Sequence, residues 1–408
     1  MLVLENQARI AVIGAGPAGC FFAHTTLQLA SRLGRNIQVT LFDGKDFTQS
    51  GPVGCNRCAG VLSASLLQHL EAEGIFLPDS RVQREVSGYY LQMRDGGLDI
   101  MPPGGQHRIM TVYRGNGPRF CEVPGIISFD DFLLERVQVE GAKMIQQPVR
   151  AITCPANRQE PLRLTYGFKG QESTFEADLV VCAFGVNSAM IRLVERLGFG
   201  YRAPRLLRLC QVELPLPADY IQQRLKNRIF TFNLGLQGIH FAAWVPKANH
   251  VTMTVVCTHD ATKADLLTVL NHPAVRQWLP PDWKFPVHIC SCYPYVPLTA
   301  AVQPYADRIV MIGDACCSRY FKNGIESAYI TARLAAHTAL NLGVSREAFR
   351  RGYGKVLRQT LIRDNRYGRA LFKIDYFVSC YDILRRIHLR VAQWPASHPA
   401  CRQPQEIL

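Results

Sequence analysis

Short unbroken apolar runs that stop at glycine or aspartate mark both ends of this chain, while its middle alternates apolar and polar residues with a period of two. The first run, residues 8–13, ends at Gly14 and predicts a buried parallel strand. A helix is expected from Pro17 to Leu33 and a second strand from Ile37 to Phe42, ending in Asp43. This is a βαβ opening. Helical spacing returns over 63–73 and 129–141, and strands are expected at 145–153, 162–167 and 178–183. Residues 80–128 mix short apolar runs with Gly-Gly, Pro-Pro and Gly-Asn-Gly, so they predict strands and loops. Three alternating runs, Arg208–Leu214, Arg228–Leu234 and Ile239–Val256 with a break at Lys247-Ala248-Asn249, predict an antiparallel sheet. A helix at 262–271 and a strand at 287–294 complete it. The strand Arg308–Ile312 leads to Gly313-Asp314-Ala315 and a helix from Gly324 to Leu342. The pattern stays helical from Ser345 to Gln393, and the proline-containing last dozen residues are expected to be loose.

The 408 residues are enough for two or three structural units, and 48% hydrophobic with 19% charged residues excludes a disordered chain. No segment reaches the roughly 18 uninterrupted apolar residues of a membrane span, and no secretory leader is recognised, so the expected address is the cytoplasm. The fourteen cysteines are scattered through apolar stretches, and most are expected to be reduced and buried. Residues 346–408 hold thirteen Lys or Arg against five Asp or Glu, which is +8 of the net +14. That region suits an anionic membrane surface or an acidic partner, and equally a solvated helical face; nucleic acid is not expected.

The strongest chemical signal is Gly14-Ala15-Gly16-Pro17-Ala18-Gly19, between a predicted strand and a predicted helix. Asp43, with its neighbour Gly44, lies at the end of the next strand, 24 positions after Gly19. Gly14 permits the tight turn, Gly16 the approach of a pyrophosphate and Gly19 the packing of helix on strand, while Asp43 is placed to accept hydrogen bonds from a ribose. A second motif separates the dinucleotides. Gly313-Asp314-Ala315 follows a strand, and nine residues after Asp314 a helix starts around Asn323-Gly324-Ile325. An aspartate there suits the ribityl chain of a flavin, and the helix N-terminus suits the negative charge that builds on a reduced flavin ring. FAD is therefore the expected cofactor.

With these residues in view, the chain resembles the flavoproteins of the hydroxybenzoate hydroxylase fold, and among them the geranylgeranyl reductases. Besides the two motifs, Asn56-Arg57-Cys58-Ala59-Gly60 is similar to the family's Cys-Gly-Gly loop beside the flavin, although Ala59 precedes the second glycine. Arg114 and the helix start Phe129-Asp130 are similar to the family's Arg and Phe-Asp pair, with fourteen residues between Arg114 and Phe129. Leu179 to Ser188 resembles its strand and Asp-Gly turn, with Phe184 in place of the aspartate, and Pro297 also matches.

The resemblance implies an α/β chain. A Rossmann-type, glutathione reductase-like FAD domain would be formed by 1–86, 112–205 and 296–345. An inserted antiparallel β substrate domain would take 87–111 and 206–295, followed by a helical basic tail over 346–408. It also implies flavin-adjacent roles for Cys58 and Cys316, while simple packing stays open for both. Arg57 and Lys322 would hold an anionic substrate or offset charge on the reduced ring, or serve as ordinary loop cations. His240, Trp244 and Tyr320 are candidate substrate-pocket residues. The cysteines come only in pairs, so no metal site is expected. The implied activity is a reductase passing hydride from flavin to a carbon–carbon double bond of an apolar, isoprenoid-like substrate, with NADPH or a ferredoxin-like donor as reductant. The alternatives are a monooxygenase working through a flavin C4a–oxygen adduct and a non-catalytic FAD-bound maturation or interaction partner.

Overall fold

A computed structural model of the chain describes residues 2–57, 59–101, 108–319, 321 and 323–393. They divide into two compact units, Met1–Gln49 with Ser128–Leu206 and Tyr295–Asn365, and Ser50–Ile127 with Leu207–Pro294 and Arg366–Leu408.

The first unit is built on a six-stranded sheet in the order Tyr305–Ala306, Ile309–Met311, Leu179–Cys182, Arg9–Ile13, Gln38–Phe42, Lys143–Ile145. All neighbours after the first pair are parallel. Leu179–Cys182 and Ile309–Met311 are buried throughout, and so is Arg9–Ile13 beyond its first residue, which is why these segments read as apolar runs. The helices Pro17–Arg32 and Gly324–Asn341 pack against each other, with Phe21 edge-on to Tyr329 at 5.4 Å. Both are rich in alanine, glycine and threonine on the buried side, so their backbones approach closely. A separate antiparallel sheet is formed by Val149–Thr153, Leu162–Phe168 and Gln171–Ala177. Beyond Leu342 the chain passes through Arg346–Phe349, a π turn at Arg350–Gly354 and Lys355–Gln359, where the buried Tyr353 hydroxyl donates to Met311 O at 2.7 Å.

The second unit is built on a seven-stranded sheet in the order Ser291–Cys292, Cys210–Pro215, His250–Cys257, Ile239–Pro246, Arg228–Asn233, Gly88–Met93, Gly96–Ile100. Only Arg228–Asn233 with Gly88–Met93 is parallel. Its core gathers Trp244, Phe230, Phe232, Met253 and Val255 under the helix Lys263–Leu270, with Phe232 and Trp244 rings 5.1 Å apart. A smaller sheet pairs Val61–Leu62 and Arg84–Val86 with Ile109–Thr111.

Several expectations need correcting. The predicted strand at 287–294 is a strand only over Ser291–Cys292, because it pairs on one side with Cys210–Pro215 as an edge. The run 145–153 is two strands in two different sheets. Residues 50–127 form one compact group with 207–294, and within it Val61–Leu62 and Arg84–Val86 pair with Ile109–Thr111. The region 346–408 is not one tail: it divides after Asn365 between the two units. Trp244, expected to line a substrate pocket, is fully buried in the core of the second unit.

Trp244 is thus a test of that core. Trp244→Ala should lower the stability of the chain by about 3–5 kcal/mol, the cost of deleting a large buried ring. Urea unfolding followed by circular dichroism measures it, and a loss under about 1 kcal/mol would contradict the packing described.

Candidate functional site

The parallel register of the first unit sets Ile13 opposite both Phe42 and Cys182, and Cys182 opposite Met311. Four strands therefore end level with one another, and the two motifs leave the sheet from the same edge. At that edge Gly14 takes φ +107°, and a Cβ there would lie 2.6 Å from Ala183 O; a Cβ on Gly19 would lie 2.0 Å from Gly14 O. No other residue fits at either position. The helix begins at Pro17, with Gly16 as its N-cap and no side chain closing the first turn. Its leading N–H groups are available to an anion. Asp43 is fixed by two backbone donors, Ala15 N to Oδ2 at 2.9 Å and Lys45 N to Oδ1 at 3.0 Å. Gly44 sits against Pro148, and Ala18 is buried.

The second motif meets the first through small residues. Gly313–Ala315 forms a single 3-10 turn, Gly313 N donates to Thr331 Oγ1 at 2.9 Å, and a Cβ on Gly313 would stand 3.0 Å from Ala18 Cβ. Asp314 Oδ1 lies 3.9 Å from where a Cβ of Gly324 would be, so this carboxylate is beside the start of the helix Gly324–Asn341. That helix too has no side-chain cap: Asn323 stands at φ +44° in the left-handed region, and Ile325 behind it is buried. The approach loop is tied to the first turn by Arg319 Nη1 to Glu326 Oε2 at 2.9 Å and Arg319 N to Ser327 Oγ at 3.0 Å. Cys316 and Cys317 are buried, and burial pushes both thiols up, Cys317 to about 12. They are therefore protonated packing groups at neutral pH rather than thiolates.

The other candidates belong to the second unit. Arg57 is exposed at φ +54°, with its backbone N–H directed to Cys55 Sγ at 3.2 Å. Cys58 lies outside the described residues, as do Tyr320 and Lys322 of the first unit's approach loop. Arg114 is half-buried just beyond Val112. His240 meets Tyr376 edge-on at 4.8 Å, its Nδ1 is buried without a hydrogen-bond partner, and burial lowers its pKa.

The sequence pattern marks Lys247 as a break between two apolar runs, at the end of the Phe241–Lys247 stretch that resembles a reductase substrate-domain strand, and assigns it no role of its own. In the structure this lysine is 1% exposed and its Nζ donates to Ala59 O at 2.6 Å and to Val112 O at 2.8 Å, with Gly60 O at 3.4 Å. The Tyr113 ring lies 5.2 Å from the ammonium. One cation therefore ties Ala59 and Gly60 to the segment that carries Arg114. Burial pushes the Glu213 carboxyl up, and Lys247 pulls it part of the way back. A second pairing that pattern reading missed is Cys121 Sγ with His250 Nε2 at 3.3 Å, where the other ring nitrogen meets Asn249 Oδ1 at 2.8 Å. Burial lowers the pKa of His250 as well.

No known family pattern matches the sequence, and no curated protein matches it. Solved structures share the fold. A geranylgeranyl bacteriochlorophyll reductase-like protein from Thermoplasma acidophilum superposes with a TM-score of 0.67 at 14% identity, covering 94% of this chain and 90% of the other. The p-nitrophenol 4-monooxygenase PnpA of Pseudomonas putida gives 0.64 at 12% identity, covering 97% and 95%. The flavin-dependent brominase Bmp2 gives 0.63 at 12% identity, covering 96% and 100%. The chain thus has the mixed α/β fold on which these proteins are built, as the resemblance implied.

Two expectations follow from the second unit. Lys247→Met leaves the Ala59 and Val112 carbonyls without the ammonium, while Gly60 O keeps its bond from Val112 N, so it should cost about 2 kcal/mol or more and speed trypsin cleavage after the exposed Arg57. Limited proteolysis with mass spectrometry reads the cut, and an unchanged digestion pattern would remove the tether from the account. His240 and His250 are held neutral by burial, so the unfolded chain binds more protons than the folded one at mildly acid pH. Their contribution is complete above the ordinary histidine value of 6.5 and is lost as pH falls through it toward the lower folded values. Stability measured from about pH 7.5 to about pH 5 should fall, and His240→Gln should flatten that slope.

Proposed function

We propose that this chain is an FAD-dependent oxidoreductase whose reaction is the reduction of a carbon–carbon double bond in an apolar, isoprenoid-like substrate. The observation that carries the cofactor assignment is the common sheet edge of the first unit. Gly14, Gly16 and Gly19, the fixed carboxylate of Asp43 and the Gly313-Asp314 turn gather there beside two uncapped helix N-termini. This donor set fits an adenine dinucleotide with a second anionic portion. The Pro17 helix would hold the pyrophosphate, Asp43 and Gly44 the adenosine ribose, Asp314 a polyol chain, and the Gly324-Ile325 turn a ring that gains negative charge. When bound, FAD supplies reversible two-electron hydride chemistry.

The protein's own part in the reaction is to orient and to exclude water. Asp43 is preorganised because two backbone N–H groups already set its direction, so little ordering is left for binding. The uncapped first turn at Gly324 offers fixed dipoles where charge develops, without reorganisation. On the resemblance, Arg57 and Cys58 carry catalytic roles and Arg114 a cofactor-binding one. Lys247 is a positioning residue for them, holding the backbone of both segments at Ala59 and Val112. NADPH or a ferredoxin-like donor would provide the electrons. Support for reduction over oxygen activation is the likeness of the Cys58 loop to the reductases and the loss of the turn aspartate at Phe184.

Purified protein should be yellow and show a flavin spectrum, and Gly16→Val should abolish flavin retention while the chain stays folded by circular dichroism. A colourless wild-type protein that takes up no added FAD would defeat the assignment. Anaerobic bleaching of the flavin by NADPH, followed by reoxidation when a polyprenyl lipid is added, is the expected reductase behaviour. Oxygen consumption coupled stoichiometrically to a hydroxylated product would replace that reading with a monooxygenase.

A further inference from the structure

From Arg366 onward, the helix Leu361–Cys380 uses one side to dock and leaves the other in water. Phe372 stacks on Phe241 with centroids 5.7 Å apart, Tyr376 meets His240, Asp375 Oδ2 accepts from Asn233 Nδ2 at 2.5 Å, and Ser379 is fully buried. Positions 372, 375, 376 and 379 share one helical face. The following helix, Asp382–Gln393, is anchored by Arg385, 1% exposed, which bonds Asp95 at 3.2 Å and Ser379 O at 2.8 Å. The docked side is therefore accounted for.

The far side is not polar. Tyr367, Leu371, Ile374, Phe377 and Tyr381 recur there every three or four residues and are 66%, 37%, 60%, 56% and 53% exposed. The apolar character continues through Ile383 and Ile387, 74% and 51% exposed. Arg366, Arg369 and Lys373, again spaced by three and four, run along one flank between the docked and the apolar sides. A continuous apolar stripe of this kind needs a cover. We propose that it is an anionic lipid surface, on which these two helices lie flat with the apolar stripe in the headgroup boundary and the basic row against lipid phosphates.

Charge decides this occupant. Residues 366–393 carry six basic against two acidic residues, the wrong balance for two copies of the same surface to meet but the right one for an anionic bilayer. The stripe from Tyr367 to Phe377 is about 15 Å long, and no described helix is long and apolar enough to cross a membrane, so the geometry is that of a helix lying in the interface. Tyr367 at the start of the stripe and Tyr381 just past the helix are the residue type that settles at headgroup depth. The inference does not depend on the flavin assignment, since none of these residues belongs to the dinucleotide cradle.

Flotation of the full-length protein with vesicles tests it. The protein should float with phosphatidylcholine vesicles containing about one third phosphatidylglycerol and stay behind with phosphatidylcholine alone, and added salt should release it. Arg366→Gln with Lys373→Gln should weaken binding on the order of 25-fold, at about fivefold per basic residue. Ile374→Asp with Phe377→Asp should abolish it while the melting curve of the chain is unchanged. Failure to float with anionic vesicles at low salt, or flotation of the Ile374→Asp, Phe377→Asp variant equal to wild type, would overturn the proposal. So would a wild-type dimer in light scattering that this variant converts to a monomer, because a second copy would then cover the stripe.

Discussion

The first unit depends on the register of one parallel ladder. Arg9–Ile13 runs beside Gln38–Phe42 on one side and Leu179–Cys182 on the other, and Leu179–Cys182 runs beside Ile309–Met311. Because these strands end at the same level, residues from three distant parts of the sequence are delivered to one edge without any side chain having to reach. A slip of one residue would turn every buried side chain of a strand to the opposite face, so the apolar runs themselves enforce the alignment. The glycines then do the local fitting. Ala183 O and Gly14 O occupy the space where side chains at 14 and 19 would stand, which draws helix, strand and turn close enough to share one ligand.

The second unit solves a different problem, that of holding irregular backbone still. Loops cannot satisfy their own carbonyls, and a buried ammonium cannot remain without acceptors. Lys247 answers both needs at once, taking the carbonyls of Ala59 and Val112 from separate segments. Gly60 is part of the same fitting, for a Cβ there would collide with Val112 O at 1.9 Å. The result is a loop whose position is set by the central sheet rather than by its own sequence.

Much of this was legible because burial leaves a periodic trace. The strands at 8–13 and 37–42 and the helix at 324–342 were readable to within a residue or two, and the spacing of Gly14, Gly16, Gly19, Asp43 and Asp314 led to a single edge that the ladder does form. What escaped left no such trace. Gln171–Ala177 is a strand of seven residues with only Ala177 buried, held by pairing with Leu162–Phe168 rather than by a core face. Trp244 shows the limit of alternation, which separates two faces of a strand without saying which one meets a ligand and which one meets a helix. Lys247 stood at a gap between two apolar runs, where lysine is ordinarily a solvated turn residue; only folding brings the three carbonyls to it. Phe184, in the position of the family's turn aspartate, marks a chemical departure that the fold tolerates, since the backbone at 183–184 still abuts Gly14.

The strand order also fixes when the cradle can exist during synthesis. Arg9–Ile13 emerges first, yet its inner neighbour Leu179–Cys182 follows some 170 residues later and Ile309–Met311 later still. Until then the opening strand has a partner on one side only, and its other edge is open to any extended segment nearby. The growing chain therefore carries an exposed, strongly apolar half-sheet until these strands are made, and the shared edge closes only once residues 309–311 have emerged. On the proposed function, cofactor capture follows the emergence of residues 309–311.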